Sequence, residues 1–197
     1  MAGSDAAPEL EMREAFGRAL VELSQREPRI RVLDADLCTS TKASLFRDAY
    51  PGRFVQLGIA EQNLFGVAAG LALEGFIPFP CTFASFAARR GLDQIAISIC
   101  YAGLNVKIPG SYPGLPTSRA GASHNCLEDL AVMRTLPGLR IADPGDNADL
   151  LAIMQAAVAT PGPVYFRVTR LTLPPLPRTA PGFQWGKGVI LRPGKDV

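Results

Sequence analysis

The chain has 197 residues, 48% of them apolar, and a net charge of +2 from 20 basic and 18 acidic side chains. That is enough apolar material for one well-buried domain, while the dispersed Lys and Arg form neither a basic run nor an aromatic-basic alternation, so no nucleic-acid partner is expected. No apolar run reaches membrane-spanning length and residues 1–8 lack a basic segment and an apolar core, so no membrane contact and a cytoplasmic location are expected.

Residues 1–9 are expected to be a flexible N-terminus. Met12, Phe16, Ala19, Leu20 and Leu23 recur at helical spacing, which predicts an amphipathic helix over 10–23 with Arg13 in its first turn. Ile30, Val32 and Leu33 predict a strand that opens into a polar loop over 34–41. A strand over 53–57 then precedes a helix from Glu61, with Leu64, Val67, Ala68 and Leu71 on one face. A strand over 77–80, a helix over 87–101 and a strand over 105–108 continue the alternation. After a Gly/Pro/Ser-rich loop over 109–122 come a helix over 127–134, a strand over 139–142, a helix over 148–158 capped by Asp146 or Asn147, and a strand over 164–168. The stretch 173–197, with Pro174, Pro175, Pro177 and Pro181-Gly182, reads as an extended linker, and Val189, Ile190 and Leu191 as a strand with no domain behind it.

Short apolar runs alternating with helices imply right-handed crossovers and an α/β, three-layer α/β/α domain with a mostly parallel sheet over 10–172. Such sheets carry function at the carboxyl ends of their strands. Those ends hold the chain's most polar or glycine-rich joints, at 34–41, 58–61, 81–86, 109–124 and 169–171. Cys38, Cys81, Cys100 and Cys126 have no C-x-x-C spacing and no histidine at metal-ligand spacing, so buried free thiols are expected. Glu61, taken alone, is an acid that favours the positive end of its helix.

Four segments, Gly58-Ile-Ala-Glu61-Gln-Asn63, Thr82-Phe83-Ala-Ser-Phe86, His124-Asn-Cys-Leu-Glu128 through Arg134, and Asp143-Pro144-Gly-Asp146, resemble in order and spacing the pyrimidine-binding domain of transketolases and other thiamine diphosphate enzymes. Residues 32–37 and 105–108 are similar to the separate second subunit of split transketolases. The resemblance spans roughly 10–172, and residues 186–197 look like the opening of the family's third domain, absent here beyond Val197.

The resemblance implies that Glu61 hydrogen-bonds a ring nitrogen of the cofactor's aminopyrimidine and activates it, a role that calls for burial beside aromatic side chains. Phe83 and Phe86 would stack on that ring, Asp36 would lie near the thiazolium, and Ser40 would touch the sugar donor. Arg13 and Arg170 would grip the phosphate end of a ketose, a task suited to guanidinium because it donates two parallel hydrogen bonds. His124, the only histidine, would bind donor oxygens and assist proton transfer. No G-x-S-x-G elbow is present, so a serine hydrolase is not expected.

Three positions depart from the transketolase pattern. Arg89 stands where a third aromatic is common, Tyr112 where a histidine often precedes His124 by twelve residues, and Ala120, in Ser118-Arg119-Ala120-Gly121, where an acid reads an acceptor hydroxyl. The family's Gly-Asp-Gly signature for metal and diphosphate is absent, so no metal ligand is assigned, and Mg2+ and the diphosphate are expected to be held mainly by a partner subunit, in a heterotetramer. The expected reaction moves a two-carbon ketol unit from a phosphoketose to an aldehyde-type acceptor. The alternatives are an acyl or glycolyl transferase resembling the pyruvate dehydrogenase beta subunit and a non-catalytic assembly subunit.

Overall fold

The computed structural model describes residues 10–116, 120–177, 183–188 and 190–195. The readings for residues 1–9, Ser118, Arg119, Pro181, Gly182 and Val189 lie outside them. Six strands, β1 (Ile30–Asp34), β2 (Phe54–Gln56), β3 (Ile77–Phe83), β4 (Lys107–Ser111), β5 (Arg140–Ala142) and β6 (Val164–Val168), form one sheet in the order β2-β1-β3-β4-β6-β5. Every pairing is parallel. The α-helices are α1 (Met12–Arg26), α2 (Cys38–Thr41), α3 (Ser44–Ala49), α4 (Glu61–Leu73), α5 (Ala84–Arg89), α6 (Asp129–Met133) and α7 (Asn147–Ala159).

Alternation along the strands builds the three layers. Val32 of β1 and Phe166 of β6 join α1, α3 and α7 in one core, whereas their neighbours Leu33 and Tyr165 join α4, α5 and α6 in the other. All four cysteines are buried free thiols, and burial pushes Cys100 and Cys126 up to about 11.

Four departures from the expected elements have local causes. The helix expected over 87–101 is two pieces: α5 ends where the Arg90 and Gly91 amides both donate to the Phe86 carbonyl, at 2.9 and 3.0 Å, and a π-helix, Gln94–Tyr101, follows. Gly91 is required at that break, because a Cβ there would collide with the Phe65 ring. Within the expected polar loop, 34–41, the chain turns through α2, closed by Lys42 in the left-handed region at φ 66°. The strand expected over 105–108 begins instead at Lys107. And β3 runs to Phe83 although Pro78 and Pro80 lie within a central strand: the Ile77 amide donates to Arg29 on the β1 side, so both prolines turn their missing N–H towards β4. The β3–β4 register accordingly starts only at Thr82↔Gly110.

The stretch after β6 is not detached from the domain. Leu173, Phe183 and Trp185 pack on the α1/α7 core, and the Trp185 indole donates to the Thr160 hydroxyl at 3.2 Å. Asp146 caps α7 by accepting from the Asp149 amide at 2.7 Å and also accepts from the Leu176 amide at 2.9 Å. At the other end of the domain's chain, the Met12 amide donates to the Leu171 carbonyl at 3.0 Å, which brings the start of α1 beside the segment after β6.

Lys107, fully buried at the amino end of β4, donates to the carbonyls of Thr160 and Gly162 at 2.8 and 2.7 Å. Burial, helped by the nearby Arg140 charge, lowers its pKa to about 7. In the unfolded chain a lysine titrates near about 10.4, so between these values the unfolded state holds the extra proton and stability rises with pH. Urea unfolding at pH 6.5, 8 and 9.5 should show that rise in the wild type, and the Lys107 part of the slope should vanish in Lys107→Met.

Candidate active site

Gly58, at φ 70°, turns the chain from β2 into α4 and delivers Glu61 as the first helical residue, only 3% exposed. A buried carboxylate requires compensation. It comes from Arg90, whose Nη1 donates to both Glu61 oxygens at 3.1 and 3.2 Å. The same guanidinium lies 4.4 Å from the Phe86 ring centroid. The interval between that ring and the Glu61 carboxylate therefore accepts a flat, N–H-donating group.

Phe83 ends β3 and is the hub of an aromatic cluster. It stacks on Phe86 at 5.7 Å and 20° and on Tyr112 at 4.6 Å and 30°, while His124 meets Phe83 and Phe86 edge-on at 5.9 and 5.3 Å. The His124 Nδ1 shares a 2.8 Å hydrogen bond with the Ser123 hydroxyl. A cavity of about 430 Å³ opens beside this cluster, lined by Arg13, Leu37, Ser40, Phe83, Tyr112, Ala120, His124 and Arg170. Five residues predicted from sequence, Arg13, Ser40, Phe83, His124 and Arg170, thus meet in one cavity. Phe86 touches its edge through Phe83 and His124. Glu61 does not line it and is linked to the cluster through Arg90 and Phe86.

Asp36 is exposed at φ 63° and lies outside the cavity lining. Its amide is held by the Gln56 side chain at 3.1 Å. The buried carboxylate at that strand end is Asp34, which accepts from the Leu37 amide at 2.9 Å and from Gln56 at 2.8 Å. Burial raises the Asp34 pKa against those hydrogen bonds. Among the described residues, non-glycine positive φ occurs only at Asp36, Lys42 and Tyr112; Tyr112 lines the cavity, and the other two flank Leu37 and Ser40, which also line it. Backbone held in that region costs about 1–3 kcal/mol per residue, and here the cost is concentrated around one site.

Two interactions place the His124 loop. Arg89 donates to Glu128 at 2.6 Å and to the Asn125 carbonyl at 3.0 Å, and its hydrogen bond holds the Glu128 carboxyl below the usual range. The fully buried Asp129 accepts from the Tyr165 hydroxyl at 2.7 Å and from Arg167 at 2.6 and 2.9 Å. Arg167 also reaches Asp143 at 2.9 Å. Among the described residues no group of three or more His, Cys, Asp or Glu could hold a metal ion, and no helix is long and apolar enough to cross a membrane.

The sequence profile described as "Transketolase, pyrimidine binding domain" matches residues 8–175. The chain belongs to the transketolase pyrimidine-binding domain family. Among its relatives is the 6-deoxy-6-sulfo-D-fructose transketolase subunit SqwH of Clostridium sp. (strain MSTE9), 41% identical over 186 residues, covering 94% of this chain and 58% of that protein. An apulose-4-phosphate transketolase subunit of Phocaeicola vulgatus is 36% identical over 186 residues, 94% of this chain and 60% of its own. A solved split gene transketolase, described as an inactive beta4 tetramer, superposes with a TM-score of 0.82 at 50% identity, covering 94% of this chain and 60% of that one. The chain thus spans about three-fifths of the length of these relatives.

Sequence reasoning misses Arg90. The available signal is its position four residues after Phe86 on a helical segment, which sets the two side chains on one face. Arg90→Ala should lower unfolding free energy by roughly 1–3 kcal/mol, less than for a fully buried pair because Arg90 is half exposed. In the Glu61→Gln background the same change should cost much less. A chemical-denaturation double-mutant cycle measures this coupling, and additivity would refute it.

Proposed function

We propose that this chain is the pyrimidine-binding subunit of a split, thiamine diphosphate-dependent transketolase, acting with a partner subunit that supplies the diphosphate and Mg2+ site. The reaction is transfer of a two-carbon ketol unit from an anionic ketose to an aldehyde-type acceptor, in a cytoplasmic assembly of two of each subunit. The observation that carries the reading is the convergence of Arg13, Ser40, His124 and Arg170 in one cavity at the strand ends, next to the aromatic cluster that reaches Glu61. The relatives' names support a donor with a tetrahedral oxyanion at its end, one a sulfosugar and the other a phosphosugar.

Thiamine diphosphate, when bound, supplies the carbon nucleophile. The residues here suit its pyrimidine. Glu61 is a buried hydrogen-bonding carboxyl, Phe86 offers a ring face, and the space between them takes a planar donor in the form of Arg90. In the proposed reaction Glu61 holds a proton at the pyrimidine nitrogen, Phe83 and Phe86 exclude water and orient the ring, and Arg13 and Arg170 bind the donor's anionic end. His124 moves a proton at a substrate oxygen, with Nδ1 oriented by Ser123. Ala120 places a methyl group in the cavity wall where transketolases often have an acid, so the acceptor hydroxyl next to the carbonyl is read without a carboxylate.

Co-expression with the diphosphate-binding subunit should give thiamine diphosphate-dependent ketol transfer from ketose phosphates and none from pyruvate. Glu61→Ala should lower turnover by at least ~10²-fold with the assembly intact. Turnover from pyruvate instead would support acyl transfer, and an unchanged Glu61→Ala rate would remove Glu61 from the mechanism.

A further inference from the structure

We propose, resting on the donor-site reading above, that Tyr112 is a positioning residue that sets affinity for an anionic substrate terminus by holding the Arg13 guanidinium inside the cavity. Arg13 is contested from two sides. Its Nε donates to Glu11 at 2.6 Å, a carboxylate whose side chain is 39% exposed and which pulls it outward. Its Nη1 donates inward, to the Tyr112 hydroxyl at 2.6 Å and the Ser40 carbonyl at 3.3 Å. Among the described residues no protein acceptor takes the Nη2 hydrogens, which leaves one donating edge for a ligand.

The Tyr112 hydroxyl has no capacity left to do this work on substrate itself. It accepts from Arg13 and donates its only proton to the Ser40 carbonyl at 2.8 Å. Its influence on an anion therefore passes through Arg13. The phenol is itself held firmly: the residue is 5% exposed, its ring stacks on Phe83, and its amide donates to the Val168 carbonyl at 2.9 Å. Its φ of 58° is a conformation that persists only where surrounding contacts over-determine it. The guanidinium carbons of Arg13 and Arg170 each lie 5.9 Å from the Tyr112 ring centroid, which sets both cations beside the same ring at the cavity.

A histidine could not make the same arrangement in its charged form, since imidazolium has no acceptor for Arg13. Tyrosine keeps the acceptor at every pH at which the arginine is charged and the phenol is neutral. The ligand class that follows is a ketose with a phosphate or sulfonate end. Steady-state kinetics of the reconstituted complex with a ketose phosphate, a sulfonated ketose and the uncharged ketose separates these.

Tyr112→Phe keeps the ring stack and deletes the hydroxyl. It should raise KM for the anionic donors roughly five- to tenfold, the size of one ordinary hydrogen bond, with kcat within about twofold and KM for the uncharged ketose unchanged. In an Arg13→Ala background it should have no further effect. An equal rise in KM for charged and uncharged donors, or a full effect without Arg13, would overturn the proposal. Calorimetric binding of inorganic phosphate to the same complex stands apart from turnover: Tyr112→Phe should weaken it about fivefold or more, even if the complex turned over no ketose, and unchanged phosphate affinity would defeat the positioning role.

Discussion

The functional corner of this domain depends on a buried carboxylate, Asp129, clamped by the Tyr165 hydroxyl and the Arg167 guanidinium. Both partners project from β6, inside the sheet, while Asp129 opens α6, directly after the loop that carries His124. A charge with no water around it costs far more than it returns unless its hydrogen bonds are complete, and here three short ones complete it. The strand beside it makes room: a Cβ at Gly110 would collide with the Tyr165 ring and hydroxyl. The loop after β4 is held as well by Arg89 and by the paired backbone hydrogen bonds between Gly114 and Cys126.

Two kinds of electrostatic balance meet on the carboxyl side of the sheet. Glu61 is compensated by one half-exposed arginine that also lies over the Phe86 ring. Arg13 is compensated by several partners at once, Glu11, Tyr112 and Ser40. The first leaves one face of a cation in solvent, whereas the second holds a cation from several directions.

The alternation of strands and helices was legible because it is a local property. Apolar residues two apart in β6 and three or four apart in α4 report which faces are buried, wherever in space those elements end up. The Gly58-to-Glu61 joint and the Phe83/Phe86 spacing were legible as motifs for the same reason. The break in the helix after α5 was not: Gly91 is tolerated in a helical pattern, and only the Phe65 ring pressed against it, from α4, explains its presence. Pro78 and Pro80 are compatible with a central strand only because of the side they face, towards β4, which spacing along the chain does not record.

By itself, the sequence determined the α/β class and the order of elements, since each follows from spacing within one segment, while most of the cavity's lining was legible only through the resemblance of its motifs to a family. Tertiary structure alone decided which side chains complete one another. Arg90 with Glu61, Tyr112 with Arg13, Arg89 with Glu128 and Arg167 with Asp129 join positions 29 to 99 residues apart. Charge pairing depends on distance in space, and no periodicity along the chain records that distance.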